Sequence, residues 1–234
     1  MTIKELTKFE KKFTEKYLGK DYNPQKVNIM FVRELMERTA YHEAGHFAAK
    51  VFTRLELSHV RFISIIPDKY NTGKIRCERA ITEATFHQTQ ACFLHSLGYK
   101  LLLEILGGYG SDNIRFYAGK YYDYFDFLYE EHEEEYNDFF FDNDNKSDIG
   151  RAFKIANLMS KPHYSANRIL KQAFRWTLEM FQIPAVWNVV EITSKRLLEK
   201  GKITLDDKII NEVIYDMDFK TIRDIPKWKK RIKV

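Results

Sequence analysis

Two histidines and a glutamate stand at a spacing that binds metal. His42-Glu43-Ala44-Gly45-His46 is an HExxH motif. On an α-helix, positions four apart lie one above the other, so His42 and His46 can present two imidazole nitrogens to one cation about 2.0–2.1 Å from each. Glu43 falls about 100° round the helix from His42, off the chelating face. From there its carboxylate can hydrogen-bond a metal-bound water and take its proton as a general base. A chance HExxH in a chain of this composition is expected only about 0.02 times. Two histidines are not a complete site, because a catalytic zinc needs a third protein ligand and an open position. The acids Asp112, Asp142, Asp144 and Asp148 all lie downstream as candidates. The competing explanation is a packing helix with two ordinary core histidines. It has to account for Gly45, which costs a helix interior roughly 1 kcal/mol relative to Ala and belongs where another backbone or a substrate comes close.

The elements that must hold these residues are legible in the hydrophobic spacing. From Asn28, a good N-cap, the run Phe31, Leu35, Thr39, Ala44, Ala48, Val51, Leu55 steps by threes and fours and predicts a helix of seven turns ending near Ser58. The stretch His59 to Ile66 is rich in β-branched residues. A turn from Pro67 to Gly73 leads into a second short strand, Lys74 to Arg79. Thr82 caps a second long helix to Leu106, where Gly107 and Gly108 supply a stop. Ser147 opens a helix through Met159, and further helices follow at Tyr164 to Phe181, Pro184 to Lys200 and Thr204 to Tyr215, the last with Thr204 and Asp207 in capping-box positions. A basic amphipathic helix occupies about 1–23, ending near Gly19 before the breaker Pro24. The fold class expected is mostly α-helical (α+β), one domain over 1–234 with a small β-sheet beside the HExxH helix.

Composition removes several alternatives. A chain that is 44% hydrophobic and 15% aromatic is not natively disordered, and 10 Gly with 5 Pro are too few for a many-turned sandwich. No apolar run approaches the roughly 18 residues of a membrane span, so none is expected. The charged amino terminus is unlike a secretion signal, and Cys77 and Cys92 make no disulfide framework, so the cytoplasm is the expected compartment. The net charge of +5 hides a separation. Lys120 to Asp148 holds eleven acids against two lysines, while basic residues gather at both ends. An acidic aromatic insert is therefore placed at about 117–145, with a helix near Phe127 to Tyr136. There is no interleaved aromatic motif, zinc-finger spacing or RRM signature, and scattered lysines usually serve solubility, so nucleic acid is not the expected partner.

The stretch Ala40 to His46, followed by the strand Val60 to Pro67 with its Ile65-Ile66-Pro67 ending, resembles the peptidase domain of the FtsH family of membrane-anchored, ATP-dependent zinc proteases. Leu106-Gly107-Gly108 is similar to that family's glycine pair, and Ser147-Asp148-Ile149 to its Asn-Asp-Leu ligand motif. Leu197 to Lys200 through Thr204 to Asp206 is similar to its C-terminal helical segment. The matches run in order over about residues 29 to 215. The resemblance implies a helical zincin-type domain in which zinc (Zn2+) is held by His42, His46 and Asp148, with Glu43 as catalytic base. Asp142, Asp144 and Asp112 remain rivals for the third position, and Asp112-Asn113 stands where the family usually has an acidic pair. The implied function is a zinc-dependent metalloendopeptidase acting on peptides or unfolded proteins.

Two departures from the family bear on this. The chain has no GxxxxGK[ST] phosphate loop and no membrane anchor, so unfolding a substrate would call for a separate ATPase. The acidic insert lengthens the loop that delivers Asp148. An extended peptide is expected to pair along the edge of the strand Val60 to Ile66. The alternative function is a catalytically idle zinc-containing binding or adaptor module whose acidic insert recognises basic partners. Retention of Glu43 weighs against it, since a structural site normally closes the fourth position with another ligand. Oligomeric state stays open.

Overall fold

The computed structural model describes residues 8–19, 28–53, 60–66, 74–77, 91–117, 148–160, 162 and 165–204. Helix α1 spans Lys8–Leu18 and α2 spans Ile29–Thr53; strands β1 (Val60–Ser64) and β2 (Lys74–Cys77) follow. Then come α3 (Ala91–Ile105), α4 (Gly107–Phe116), α5 (Asp148–Met159), α6 (Ala166–Phe181), α7 (Pro184–Lys200) and β3 (Lys202–Thr204). The chain is mostly helical with a small sheet, as its periodicity requires. The expected helices at 127–136 and beyond Thr204, the insert up to 145, and the rivals Asp142 and Asp144 lie outside the described residues.

Helix α2 is the spine. Asn28 caps it, its Oδ1 accepting the N–H of Met30 at 3.0 Å and of Phe31 at 3.4 Å. Its buried stripe differs from the expected one at the start: Val32 and Met36 are covered, whereas Phe31 is half exposed. From Ala40 onward α2 is covered on most sides. Ala40, Ala44, Ala48 and Ala49 are fully buried, and such small side chains let neighbouring helices come close. α7 packs against it along one face and α4 along another. Phe47, Val51, Ile63, Val186, Val190, Leu197 and Ile203 join that core, which ties α2 to α7 and the sheet. A second core gathers α3, α5 and α6 through Leu102, Leu106, Phe153, Ala156, Ile169 and Phe174. Helix α1 packs Phe13 beside Val32 and Met36, and Glu10 receives the Arg33 Nε–H at 2.6 Å.

Two expectations need correction. The second long helix ends at Ile105, where a stop is expected, but Gly107 and Gly108 are not spent on a left-handed cap. They begin α4 immediately after a corner at Leu106, whose backbone stays in the right-handed helical region (φ −81°, ψ −4°). The close approach they permit to α2 offsets their poor helix propensity. The second correction concerns β1, which has no free edge along Phe62 to Ser64. β2 pairs with it antiparallel on one side and β3 on the other, giving the order β2-β1-β3. Helix α7 ends at Gly201, in the left-handed region (φ 74°), and the chain then doubles back so that Ile203 lies opposite Ile63. Thr204 is the last residue of this strand, and the helix expected to follow it lies outside the described residues. Among the described residues, β2 and β3 are the outer strands of the sheet.

Candidate metal centre

His42 and His46 lie on consecutive turns of α2, and each ring is fixed from behind. The Nδ1–H of His42 donates to Asp112 Oδ2 at 2.7 Å, and the Nδ1–H of His46 donates to the backbone carbonyl of Glu104 at 2.8 Å. A carboxylate and a carbonyl can only accept, so both rings carry their proton on Nδ1 and aim Nε2 forward. The Tyr109 ring stands edge-on to His42 with centroids 5.1 Å apart, closing one flank.

Asp148 arrives from the other core as the first residue of α5. That helix buries Ile149, Ala152, Phe153 and Ala156 against α3 and α6, which delivers the carboxylate to the imidazoles. Asp148 Oδ2 lies 3.0 Å from His46 Nε2 and 3.7 Å from His42 Nε2, and the two Nε2 atoms are 3.1 Å apart. Arg151, one turn on, holds the other oxygen, Oδ1, at 3.4 Å. Three donors about 2.1 Å from a tetrahedral zinc would stand about 3.4 Å from one another, and the observed spacings bracket that value. His42, His46 and Asp148 are the only such metal-ligating group among the described residues.

The chemistry of the donor set fits a cation. With both Nδ1 positions committed as donors, neutral rings place two Nε2 lone pairs and a carboxylate oxygen face to face, an arrangement that repels unless positive charge lies among them. The titration of the site expresses the same demand. Burial opposes the charged form of His42, yet Asp112 and Asp148 raise it well above the ordinary imidazole value. Burial likewise opposes charge on His46, and Asp148 outweighs it to raise that group too. Burial alone would push the Asp148 carboxyl up, but the two histidines hold it well below the usual carboxylate range. Protons occupy a place suited to a metal ion.

The wall opposite is Gly108. A Cβ there would come within 2.5 Å of His42 Nε2 and 2.6 Å of His46 Nε2, so any side chain would fill the space in front of the imidazoles. Gly45 answers the question raised by its propensity cost: a Cβ on it would collide with the Gly107 carbonyl and Ser111 Oγ of α4. Ser111 locks this contact, its Oγ lying 2.8 Å from the carbonyls of both Tyr41 and Gly108, which share its one proton. Glu43 is buried, 6% exposed, and burial pushes its carboxyl up to about 7 against the opposing pull of His46 and His42.

The residues expected to hold metal thus converge, and Glu43 stands beside them. Asp112, a rival for the third position, sits behind His42 on Nδ1, away from the converging Nε2 atoms. Its position four residues beyond Gly108 on a helix was the available signal. Glu104 acts on His46 through its main chain, for which a sequence offers no signal at all. Compared with known proteins, the chain matches no family model and no curated protein.

Proposed function

We propose that this chain is a zinc metalloendopeptidase of the zincin type, hydrolysing peptide bonds in peptides or unfolded proteins. One observation carries the reading: the ligand atoms of His42, His46 and Asp148 lie within 4.8 Å of one another, with a catalytic-type carboxylate next in sequence to the first of them. His42, His46 and Asp148 would hold the ion, and three protein ligands would leave a fourth position for water or substrate. When bound, zinc supplies Lewis acidity, polarising a carbonyl and making water a competent nucleophile near neutral pH.

The remaining work falls to the protein. Asp112 and the Glu104 carbonyl keep both imidazoles oriented, so no reorganisation of the ligands is needed during turnover. Glu43 is the proton carrier. A buried carboxyl balanced near neutrality takes a proton from water and returns it to the amine nitrogen of the breaking bond, which then departs neutral. An extended peptide adding to the sheet would pair with β2 or β3, since β1 is enclosed. No helix among the described residues is long and apolar enough to cross a membrane. A separate ATPase would extend the substrate range from unfolded to folded proteins.

The test pairs zinc analysis with cleavage of unfolded casein by the wild type and Glu43→Gln. Both proteins are expected to bind one zinc, and only the wild type to cleave. Equal cleavage by both removes Glu43 from the mechanism. A wild type that takes up zinc without cleaving would instead favour the idle binding module.

A further inference from the structure

The polar stripe of α2 does not end at the two histidines. One turn beyond His46 stands Lys50, its side chain only 5% exposed, with Nζ paired to Glu104 Oε1. The same Glu104 accepts the His46 Nδ1–H on its backbone carbonyl at 2.8 Å. A single residue in the last turn of α3 therefore grips two successive turns of α2, one through its side chain and one through its main chain.

Stability alone is a poor reason for this pair. Taking a lysine out of water is costly, and apolar side chains of similar volume usually hold a protein together at least as well. A charged pair adds a defined geometry, and geometry is scarce at this place. Glu104 lies in the last turn of α3, where carbonyls lack intrahelical partners and take their direction from whatever they meet outside the helix. Two residues later the chain turns at Leu106 into α4. His42 is oriented by a side chain, Asp112, which the body of α4 fixes. His46 is oriented by a main-chain carbonyl at a helix end, which has to be fixed by something else.

We propose that the Lys50–Glu104 ion pair, buried at its lysine end, is a positioning device of the metal centre, pinning the end of α3 so that the Glu104 carbonyl holds His46 with Nδ1 protonated and Nε2 facing His42 and Asp148. Its consequence, tighter metal binding, rests on the proposed function; the hydrogen bond belongs to the metal-free protein as well. Neither residue ligates the metal nor touches substrate.

The test uses the full chain carrying Lys50→Met with Glu104→Leu. This double substitution removes both charges together and leaves the carbonyl of residue 104 in place. Two readouts apply: zinc affinity by chelator competition, and the slowly exchanging low-field Nδ1 proton of His46 in the metal-free protein by NMR. The expected result is a folded protein whose zinc affinity falls about ten-fold and whose protected His46 proton is lost. Retention of that proton, or an unchanged zinc affinity, overturns the proposal. If the double variant does not fold, Glu104→Gln supplies the same two readouts with the shape preserved, and wild-type values there overturn it equally. A wild type that binds no zinc would defeat the proposed function, and the proton in the variants would then decide this proposal alone.

Discussion

Nδ1 of His42 and Oδ2 of Asp112 lie 2.7 Å apart across the contact between α2 and α4, so a carboxylate from one helix sets the tautomer of a metal donor on another. Asp112→Ala is therefore expected to weaken zinc binding by about 10- to 100-fold with the helical fold retained. Competition with a chromogenic chelator measures the affinity, and circular dichroism checks the fold. An unchanged affinity would show that packing alone fixes the His42 ring.

Asp148 is expected to behave differently from Asp112. Asp148→Ala removes a converging donor, so the cobalt-substituted protein should lose its tetrahedral visible absorption, whereas cobalt-saturated Asp112→Ala should keep it. Identical spectra from wild type and Asp148→Ala would reassign the third ligand.

The two glycines of the α2–α4 contact predict separable failures. In Gly108→Ala the methyl group would meet both Nε2 atoms, so metal uptake should be abolished with little loss of helix content. In Gly45→Ala the methyl group meets the Gly107 backbone, so the expected loss is in stability, about 1–3 kcal/mol as for an overpacked core. Denaturant unfolding and zinc titration of both variants distinguish the cases. A Gly108→Ala protein with normal zinc uptake would contradict a metal held in front of the two Nε2 atoms.

Protons and metal compete for this site, and the direction is fixed by the shifts. Zinc needs neutral imidazoles, whereas His42 and His46 are both raised in the metal-free protein. Binding at neutral pH should release protons, and affinity should fall as pH drops. Calorimetry in buffers of different ionisation enthalpy reads the proton count, and a count of zero would contradict the raised values.

Metal-free stability follows from the same groups. Asp148, depressed from 3.8, stabilises the fold above that pH and ceases to do so under stronger acid. Glu43 is raised from 4.5 to about 7, so its contribution is complete below 4.5 and is lost as pH climbs towards 7; the histidines begin to lose theirs above 6.5. In chelator, the melting temperature should decline from about pH 5 to pH 8, and Glu43→Gln should flatten the first part of that decline. A melting temperature that rises across this interval would refute the assignment.

Much of the scaffold could be read from residue order. The start of α2 at Asn28, the bounds of α7 and the end of α5 at Met159 follow from caps, Pro184 and threes-and-fours spacing, because these signals act within a turn or two of chain. The reading failed where distant residues decide. Gly107-Gly108 looks only like a stop; α3 does end at Ile105, but the pair also opens α4, packed so closely on Gly45 that no Cβ fits between them. The strand Val60 to Ile66 looks like an open edge for a peptide, and pairing with both β2 and β3 encloses Phe62 to Ser64.

The sequence by itself determined that two imidazoles would share one face of a helix with a glutamate beside them, because a 3.6-residue period converts spacing directly into direction. Which acid would meet them, and which would stand behind, was settled only when α4 and α5 packed against α2. Asp112 and Asp148 are both carboxylates far along the chain, and nothing local separates the one that accepts an Nδ1 proton from the one that faces the Nε2 atoms. That distinction is a matter of approach direction across helix contacts, and only tertiary packing sets it.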